Sequence, residues 1–428
     1  MSADKAPGFD TLAIHAGAAP DPTTGSRATP IYQTASFVFD DVDHAASLFN
    51  LQEFGNIYSR LTNPTNAVLE ERLAALEGGR TALAVASGHA AQMVAFHVLM
   101  EPGDEIIASN RLYGGSITQL SVSFRKFGWK VTFVDVDDPE NIRKALTDRT
   151  RAVFIESLAN PGGVVSDIAA IAAVAHGGGV PLIVDNTLAT PYLCRPIDHG
   201  ADIVVHSLTK FLCGNGTTIG GIIVEAGRFD WSASDKFPAI SKPSPAYHGM
   251  VFHETFGDMA FGIAARALSL RDLGPALSPF NAFLILNGIE TLSLRMDRHC
   301  SNALTVAKHL AGHDKVAWVN YAGLPGDRYN KLARQYLPRG AGAVFTFGVK
   351  GGYEAGVKLV ENVELFSHLA NIGDVRSLII HPASTTHRQL SEEQLAAAGA
   401  GPDVVRLSIG LEAVDDIIAD LDQALAKT

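Results

Sequence analysis

The sequence predicts an α/β protein in which a mostly parallel seven-stranded sheet carries helices on both faces and precedes a smaller α+β unit. Three observations support this prediction. The chain has 428 residues, more than one ordinary domain needs. Short β-branched runs alternate with amphipathic stretches between residues 80 and 225, and longer helical patterns mix with strand-like runs beyond residue 263. Sheets of this kind bind ligands at the carboxyl ends of their strands, so we expect the functional residues there.

The first segment, residues 1–62, is predicted to be an arm. It carries turn signals at residues 19–22 (APDP) and at Thr29-Pro30, and it shows little helical period. This pattern is typical of an extended segment that lies on another surface. We therefore expect residues 1–62 to contact a neighbouring subunit.

The large domain is predicted at residues 63–265. Its helices are indicated by apolar runs bounded by Gly or Pro, such as AAQMVAFHVLM and DIAAIAAVAH. Its strands are predicted at ALAVAS (82–87), EIIAS (105–109), KVTFVD (130–135), RAVFIE (151–156), PLIVD (181–185), DIVVHS (202–207) and GIIVE (221–225). A Pro-, Gly- and aromatic-rich stretch at residues 226–262 then predicts a long active-site or interface loop.

The second domain is predicted at residues 266–428. Long helical patterns alternate there with the strand-like runs GAVFTFGV, SLIIHP and VVRLSIG. The chain then ends in the amphipathic pattern VDDIIADLDQALA. This mixture predicts a smaller α+β unit.

Composition narrows the possible partners and compartments. The formal net charge is −11 and the chain has no Lys/Arg block, so we expect no nucleic-acid partner. Cys194, Cys213 and Cys300 are too widely spaced for a CxxC pair or a disulfide framework, which favours a reducing compartment. The N-terminus lacks a signal-peptide pattern, and no apolar run reaches the ~20 residues that span a bilayer. These features predict a cytoplasmic protein with no membrane partner.

Lys210 is the first candidate for chemistry. In HSLTK (206–210) it follows an apolar strand, hydroxyl residues stand one and three positions before it, and a glycine-rich turn comes after it. A Schiff-base lysine needs an amine held at a sheet edge and partly desolvated, beside hydroxyls that can hold a phosphate. Taken alone, the segment would more often contain a solvated loop lysine.

Asp185 and the turn at residues 86–89 (ASGH) are the other candidates. A carboxylate at the end of the LIVD strand can pair with a pyridine nitrogen and keep it protonated, which makes pyridoxal 5'-phosphate (PLP) an electron sink. At the ASGH turn, backbone N–H groups and a helix dipole can meet a phosphate. Alone, Asp185 could cap a turn and Ser87 could be an ordinary N-cap. Together with Lys210, they predict a PLP enzyme in which Lys210 holds the cofactor.

These residues lie in segments that resemble the Cys/Met-metabolism family of fold-type I PLP enzymes, whose fold is aspartate aminotransferase-like. The resemblance covers nearly the whole chain and follows the family's order. It is carried by YSRLTNPT (58–65), ASGHAA (86–91), LYGGS (112–116), ESLANP (156–161), VDNTLATPYLCRP (184–196), HSLTKF (206–211), HPASTTH (381–387) and VRLSIGLE (405–412).

The resemblance implies a role for each matching residue. The catalytic residues would be Lys210 as Schiff base and proton shuttle, Asp185 on the pyridine nitrogen and Tyr113 stacked on the ring. The phosphate would be held by Ser87, Gly88, His89, Ser207 and Thr209, and by Tyr58 and Arg60 of a neighbouring subunit. The substrate would be bound by Asn160, Arg406 and Asn371, and Arg406 suits the α-carboxylate because its planar fork matches two oxygens. His89 stands where the family pattern has Met or Gln.

Within the family, the length and the segments GNGTTIGGIIVEAGRFDW and NIGDVRSLIIHPASTTH most resemble the O-acetylhomoserine sulfhydrylases. Gly115 stands where methionine γ-lyases carry Cys, and Asn371 stands where the shorter synthases and lyases carry Ser. The implied reaction is γ-replacement on O-acetyl-L-homoserine by sulfide or methanethiol, giving L-homocysteine or L-methionine and acetate. Cystathionine γ-synthase, cystathionine γ-lyase and O-succinylhomoserine sulfhydrylase remain alternatives. The family is usually homotetrameric, built from dimers that share active sites.

Other classes of protein fit the sequence less well. An NAD-dependent oxidoreductase would need GxGxxG after the first strand, where this chain has ASGH. A serine hydrolase would need GxSxG, whereas Ser87 lies in VASGH. His381 and His387 flank a strand end without an HExxH pattern, so no metal site is predicted. A non-catalytic binding role would leave the convergence of Lys210 and Asp185 unexplained.

Overall fold

Strands in two sheets form the framework of the protein. The computed structural model describes residues 7–160, 163–385, 388, 399 and 401–428. The large sheet contains β1 (Thr81–Val85), β2 (Glu105–Ser109), β3 (Lys130–Val134), β4 (Thr150–Glu156), β5 (Leu182–Asp185), β6 (Ile203–Ser207) and β7 (Gly221–Glu225). The small sheet contains β8 (Val316–Asn320), β9 (Val344–Val349), β10 (Ser367–His368), β11 (Leu378–Ile380) and β12 (Val404–Ser408).

The large sheet has the strand order β1-β7-β6-β5-β4-β2-β3. Strand β7 runs antiparallel to both β1 and β6, and the other neighbours are parallel. This reversal places Gly221, the first residue of β7, beside Val85 of β1 and Ser207 of β6, each at the carboxyl end of its strand. All seven strands predicted for this sheet are confirmed, within two residues at either end.

Helices cover both faces of the large sheet and complete the second unit. They are α1 (Phe9–His15), α2 (Val42–Phe49), α3 (Pro64–Glu77), α4 (Gly88–Leu99), α5 (Gly114–Thr118), α6 (Pro139–Ala145), α7 (Ile168–Gly177), α8 (Thr190–Leu193), α9 (Pro238–Ser241), α10 (Phe252–Phe256), α11 (Ala260–Ala264), α12 (Arg271–Leu273), α13 (Pro279–Ile289), α14 (Leu292–Ala311), α15 (Asn330–Tyr336), α16 (Gly352–Asn362) and α17 (Val414–Leu425). No helix in the described part of the chain is both long and apolar enough to cross a membrane.

The core follows from the alternation of side chains along the strands. In β4, Val153 and Ile155 pack on one face with α3 and α7, whereas Ala152 and Phe154 pack on the other face with α4. Strands that are buried on both faces read as continuous apolar runs, which is why they were recognisable in the sequence. The cluster that contains Val153 also includes residues of β9 and β12, so the two sheets share one core.

The N-terminal segment contains two short helices that the sequence did not suggest. Helix α1 packs on α3, where Arg72 Nε donates to the carbonyl oxygen of Ala16 at 3.0 Å. Residues 17–40 run without a helix between α1 and α2. The division of the chain after residues 62 and 265 stays a prediction.

The aromatic-rich stretch at residues 226–262 lines no part of the cavity of its own chain, so an active-site loop is not borne out within one subunit, and its role as an interface loop stays a prediction. Trp231, Phe237, Phe252 and Phe261 are buried, and the rings of Trp231 and Phe261 stack at 5.5 Å. Large aromatic side chains gain more free energy in a core than at a surface. The stretch therefore packs against the large sheet and lines no part of the cavity described below.

The small sheet has the order β10-β11-β12-β9-β8. The predicted strands β9, β11 and β12 and the last helix, α17, are confirmed. Strand β12 lies between β11 and β9, antiparallel to both. Arg406, in the middle of β12, is thereby carried to the edge of the large sheet.

Candidate active site

A cavity of about 360 Å³ lies where the carboxyl ends of β1, β4, β5 and β6 meet the small unit. Residues 370–372 and Arg406 close it on the side of the small sheet. Eleven of the predicted site residues line it: Ser87, Gly88, His89, Tyr113, Asn160, Asp185, Ser207, Thr209, Lys210, Asn371 and Arg406. The structure therefore brings together residues that are distant in the sequence.

The turn between β1 and α4 is the place where the sequence predicts a phosphate cradle. Ser87 is the N-cap of α4, and its hydroxyl accepts from Ala90 N at 3.1 Å. A Cβ atom at Gly88 would lie 2.8 Å from the Cβ of Ser207, and one at Gly221 would lie 2.0 Å from the carbonyl oxygen of Ser87. Both positions need glycine because three chain segments converge there. Backbone N–H groups at the start of α4 consequently face the cavity next to the hydroxyls of Ser207 and Thr209.

Asp185 lies at the end of β5, and its carboxylate is held by three donors. Thr187 donates to it through its backbone N–H at 3.0 Å and its hydroxyl at 2.5 Å, and Gln92 donates from α4. Burial raises the pKa of Asp185, whereas these hydrogen bonds and the neighbouring His206 act to lower it. A cationic ring nitrogen placed against this carboxylate would compensate for its burial.

Lys210 follows β6 by three residues, and its Nζ donates to Asn371 Oδ1 at 2.5 Å. Burial, together with the positive charge of Arg406, lowers the pKa of Lys210 to about 8. An amine with this pKa is partly neutral near physiological pH. This is the state in which a lysine can attack a carbonyl group or accept a proton.

Arg406 reaches the cavity from β12. Its Nη1 donates to Asn160 Oδ1 and its Nη2 donates to the backbone carbonyl of Asn371, each at 3.2 Å. Burial lowers the pKa of Arg406 to about 10. No carboxylate among the described residues forms an ion pair with it within 4.0 Å, so its fork is available to a ligand carboxylate.

Tyr113 overhangs the cavity from the loop after β2. Its ring stacks on that of His89, with centroids 5.9 Å apart and planes 27° apart. Burial lowers the pKa of His89, which therefore favours its neutral form. A Cβ atom at Gly115 would lie 2.5 Å from the Tyr113 ring and 3.0 Å from Cε1 of His89. This packing explains why the chain has glycine at position 115.

Glu156, which sequence analysis left without a role, ends β4 opposite Asp185. Its Oε1 accepts from Tyr113 N at 2.6 Å, and its Oε2 accepts from Asn160 N at 3.1 Å. Burial and the nearby Asp185 raise the pKa of Glu156 to about 8. Its place at the end of a predicted strand, directly before the SLANP segment, was the available clue.

The other cavity residues that sequence analysis did not name are Gln92, Ser116, Thr187, Leu158, Leu188, Ile219, Ala370 and Ile372. Thr187 could have been inferred because it follows Asp185 by two positions, where a side chain can bond back to an Asp. The others reach the cavity through tertiary packing, and the sequence around them shows no local pattern that predicts this. The buried Oε1 of Gln92 has no hydrogen-bond partner among the described residues, although Gln92 Nε2 donates to Ser116 Oγ at 2.9 Å.

Tyr58 and Arg60 do not line the cavity of their own chain. Arg60 donates to the backbone carbonyl of Arg271 at 2.5 Å, and its guanidinium lies 5.6 Å from the centre of the half-exposed Tyr58 ring. Their predicted role in a neighbouring site stays a prediction. His387 and Pro161, which belong to two of the motifs, lie outside the described residues.

Residues 10–426 match the model of the family described as Cys/Met metabolism PLP-dependent enzymes. The chain belongs to this family. Similar members of the Cys/Met-metabolism family include the O-acetyl-L-homoserine sulfhydrylase of Leptospira meyeri, with 56% identity over 97% of this chain and 96% of that protein. The homocysteine synthase of Schizosaccharomyces pombe is 51% identical over 97% of this chain and 98% of that protein.

A solved structure confirms the fold. The crystal structure of a Campylobacter jejuni protein, described as an O-acetylhomoserine (thiol)-lyase with N'-pyridoxyl-lysine-5'-monophosphate, superimposes with a TM-score of 0.95. It is 43% identical, and the match covers 98% of this chain and 100% of that one. The fold-type I architecture predicted from the sequence is thus confirmed.

The residues in the cavity fit PLP, the cofactor of the family. The glycine-lined turn at residues 87–88 offers N–H groups to a phosphate, Asp185 offers a carboxylate to the ring nitrogen, and Lys210 offers a partly neutral amine. Each requirement of the cofactor has a matching group in one cavity. Among the residues that the structure describes, no cluster of three or more His, Cys, Asp or Glu could hold a metal ion.

Proposed function

We propose that the protein catalyses γ-replacement on O-acetyl-L-homoserine, in which sulfide or methanethiol displaces acetate to give L-homocysteine or L-methionine. The observation that carries this proposal is the convergence of a partly neutral Lys210, an unpaired Arg406 and the glycine-lined cradle in one cavity. The names of the relatives in Leptospira meyeri and Schizosaccharomyces pombe support the choice of substrate and product.

Arg406 and Asn160 bind the α-carboxylate of the amino acid in this proposal. The Arg406 guanidinium already donates to the Asn160 side chain at 3.2 Å, so the two groups present a fixed set of donors. The carboxylate would give Arg406 a negatively charged partner, which none of the described carboxylates provides. The amino group is thereby directed toward Lys210.

Lys210 moves the protons. When bound, PLP supplies an electron sink that stabilises the electron pair left on Cα after a proton is removed. Lys210 Nζ takes the Cα proton, mobilises a Cβ proton so that acetate can leave from Cγ, and returns protons after the thiol has added. Its pKa of about 8 suits a group that must both accept and release protons near neutral pH. Asn371 Oδ1, 2.5 Å from Nζ, holds the amine between these positions.

The charges of the cavity favour an acetyl over a succinyl ester. Lys210 and Arg406 are the only Lys or Arg residues that line the described cavity. In this proposal Lys210 holds the cofactor and Arg406 binds the α-carboxylate, so neither is left for a second carboxylate. A succinyl group would bring a second carboxylate to a wall that includes Leu158, Leu188 and Ile219. Cystathionine γ-synthase and γ-lyase activities remain alternatives within the family.

The protein is also proposed to act as a cytoplasmic homotetramer built from dimers. The cradle residues Ser87, Gly88, Ser207 and Thr209 are uncharged, so a bound phosphate needs a cation from elsewhere. Arg60 of a neighbouring subunit is the proposed source, together with the hydroxyl of Tyr58. The three cysteines are buried and free of disulfides, which suits a reducing compartment.

An absorption spectrum of the purified protein tests the proposal first. We expect a band near 420 nm, typical of lysine-bound PLP, that changes on addition of O-acetyl-L-homoserine, with homocysteine formed only when sulfide is present. The Lys210→Ala variant should lose both the band and turnover. Formation of 2-oxobutyrate without thiol incorporation would assign the protein to the γ-lyases instead, and retention of activity by Lys210→Ala would refute the mechanism.

A further inference from the structure

We infer that Glu156 is a positioning residue whose single buried carboxyl group fixes both the loop that places Tyr113 over the cofactor and the loop that places Asn160 beside Arg406. This inference rests on the proposed function, because it concerns the same cavity. It adds a residue that couples cofactor stacking to substrate binding.

The first contact of Glu156 sets the Tyr113 loop. The backbone N–H of Tyr113 donates to Glu156 Oε1 at 2.6 Å, at the point where the chain turns into α5. The Tyr113 side chain is half-exposed and has only the ring of His89 stacked against it in the described structure. Its position over the cavity therefore depends on how its backbone is held.

The second contact sets the substrate side of the cavity. The backbone N–H of Asn160 donates to Glu156 Oε2 at 3.1 Å, and the Asn160 side chain accepts from Arg406. A shift of Asn160 would consequently move a partner of the group that binds the α-carboxylate. One carboxyl group thus joins two loops: that of Tyr113, which lies 43 positions before Glu156, and that of Asn160, which lies four positions after it.

Only a carboxyl group has the chemistry that this position requires. Each of its oxygens accepts one backbone N–H, whereas the amide of glutamine would present an NH₂ group to one of them. Because Glu156 lies opposite Asp185 on neighbouring parallel strands, two full charges there would repel each other. Burial and the nearby Asp185 raise the pKa of Glu156, so a negative charge on Glu156 costs more when Asp185 is charged.

The chain provides a matched control in Glu225. It is a buried glutamate at the end of β7, and its two oxygens accept from the backbone N–H groups of Phe261 at 3.2 Å and Gly262 at 2.8 Å. Glu225→Gln therefore removes the same kind of double acceptor as Glu156→Gln. Glu225 does not line the cavity.

The test compares these two variants with the wild-type holoenzyme. It measures KM and kcat for O-acetyl-L-homoserine, the spectrum of the bound cofactor, the melting temperature, and the Kd of L-norleucine, which has no leaving group. We expect Glu156→Gln to raise KM and the norleucine Kd about tenfold or more, with a shifted cofactor band, because a buried N–H loses its acceptor. Glu225→Gln should lower the melting temperature while leaving KM, Kd and spectrum at wild-type values.

Two outcomes would overturn the inference. If Glu156→Gln lowers only the melting temperature, as Glu225→Gln does, the role of Glu156 is structural. If Glu156→Gln does not fold, Glu156→Asp keeps both acceptor oxygens on a shorter side chain, and unchanged KM and Kd in that variant would also refute the inference. Norleucine binding separates the proposed function from the proposed role of Glu156. A wild-type protein that binds norleucine but forms no homocysteine would refute the function, and the effect of Glu156→Gln on norleucine binding could still be measured.

Discussion

Lys210 and Arg406 show how two buried cations can share one cavity. Each has a pKa below its usual value, about 8 for Lys210 and about 10 for Arg406, with burial as the main cause. The charge of Arg406 also contributes to the lowered pKa of Lys210. A carboxylate bound to Arg406 would screen that charge, so substrate binding should favour a proton on Lys210.

Substitution of Arg406 should change the titration of Lys210. Arg406→Gln removes a positive neighbour, which favours the charged ammonium form and raises the pKa of Lys210 above its value of about 8. Absorbance follows the rate at which cofactor-free protein rebinds PLP at each pH. Because the neutral amine is the reactive form, the midpoint of this pH profile should lie at a higher pH in Arg406→Gln than in the wild type.

The exposed Arg143, which pairs with Glu140 on α6, supplies the control for this experiment. Arg143→Gln should leave the midpoint of the pH profile unchanged. Equal midpoints in wild type and Arg406→Gln would contradict the electrostatic link between Arg406 and Lys210.

Sequence analysis located some site residues and missed others for a physical reason. Lys210 and the Ser87 turn follow β6 and β1, and Asp185 ends β5. Most residues of these strands are apolar, so the place of these groups at the sheet edge could be read from local pattern. Gln92 sits inside helix α4 and Glu156 is the last residue of the buried strand β4, and residues of these types at such positions usually form structural contacts. Their direction into the cavity depends on packing between elements that the sequence does not specify locally.

Among the elements, strand β7 has the most direct influence on the cradle. Its antiparallel direction brings Gly221 against the carbonyl of Ser87, at the turn that starts α4. The sequence predicted this strand but not its direction. It did not predict β8, in which Val316 is the only fully buried residue, or β10, which has two residues. Strands with few buried side chains leave little pattern to detect.

Gly221→Ala should weaken cofactor binding. The new Cβ would lie 2.0 Å from the Ser87 carbonyl oxygen, so the cradle must shift. Overpacking of this kind costs about 1–3 kcal/mol, and if this cost falls on the bound state, the Kd for PLP should rise about fivefold to 150-fold.

The control for Gly221 is Gly177→Ala at the end of α7, where a Cβ would meet no atom within 4 Å. Titration of the cofactor-free proteins with PLP measures both effects. A Gly221→Ala variant that binds PLP as tightly as Gly177→Ala would show that the cradle tolerates the displacement.

At the scale of the whole molecule, the N-terminal segment exposes more apolar surface than a lone subunit would favour. Val38 is 95% exposed, Val42 is 82% exposed and Phe54 is 68% exposed. Strongly exposed apolar side chains gathered in one segment often mark an interface. Arg60 lies just beyond these residues, so an interface formed by them would bring its guanidinium toward another subunit.

A hybrid oligomer tests whether Arg60 acts on a neighbouring site. Lys210→Ala and Arg60→Ala subunits with different tags are co-expressed, and hybrids are purified through both tags. A Lys210→Ala subunit should donate its intact Arg60 to the site of its Arg60→Ala partner, so the hybrid should regain homocysteine formation at limiting PLP. Activity no higher than that of the Arg60→Ala parent would mean that Arg60 serves its own chain.

The distance in sequence between Asn160 and Arg406, 246 positions, has a consequence for biosynthesis. The cradle, Asp185 and Lys210 are all present in a nascent chain once β7 has been made. Arg406 joins them only when β12 has been inserted between β9 and β11, close to the end of translation. The residues predicted to hold the cofactor are therefore synthesised before Arg406, the residue proposed to bind the amino acid's carboxylate.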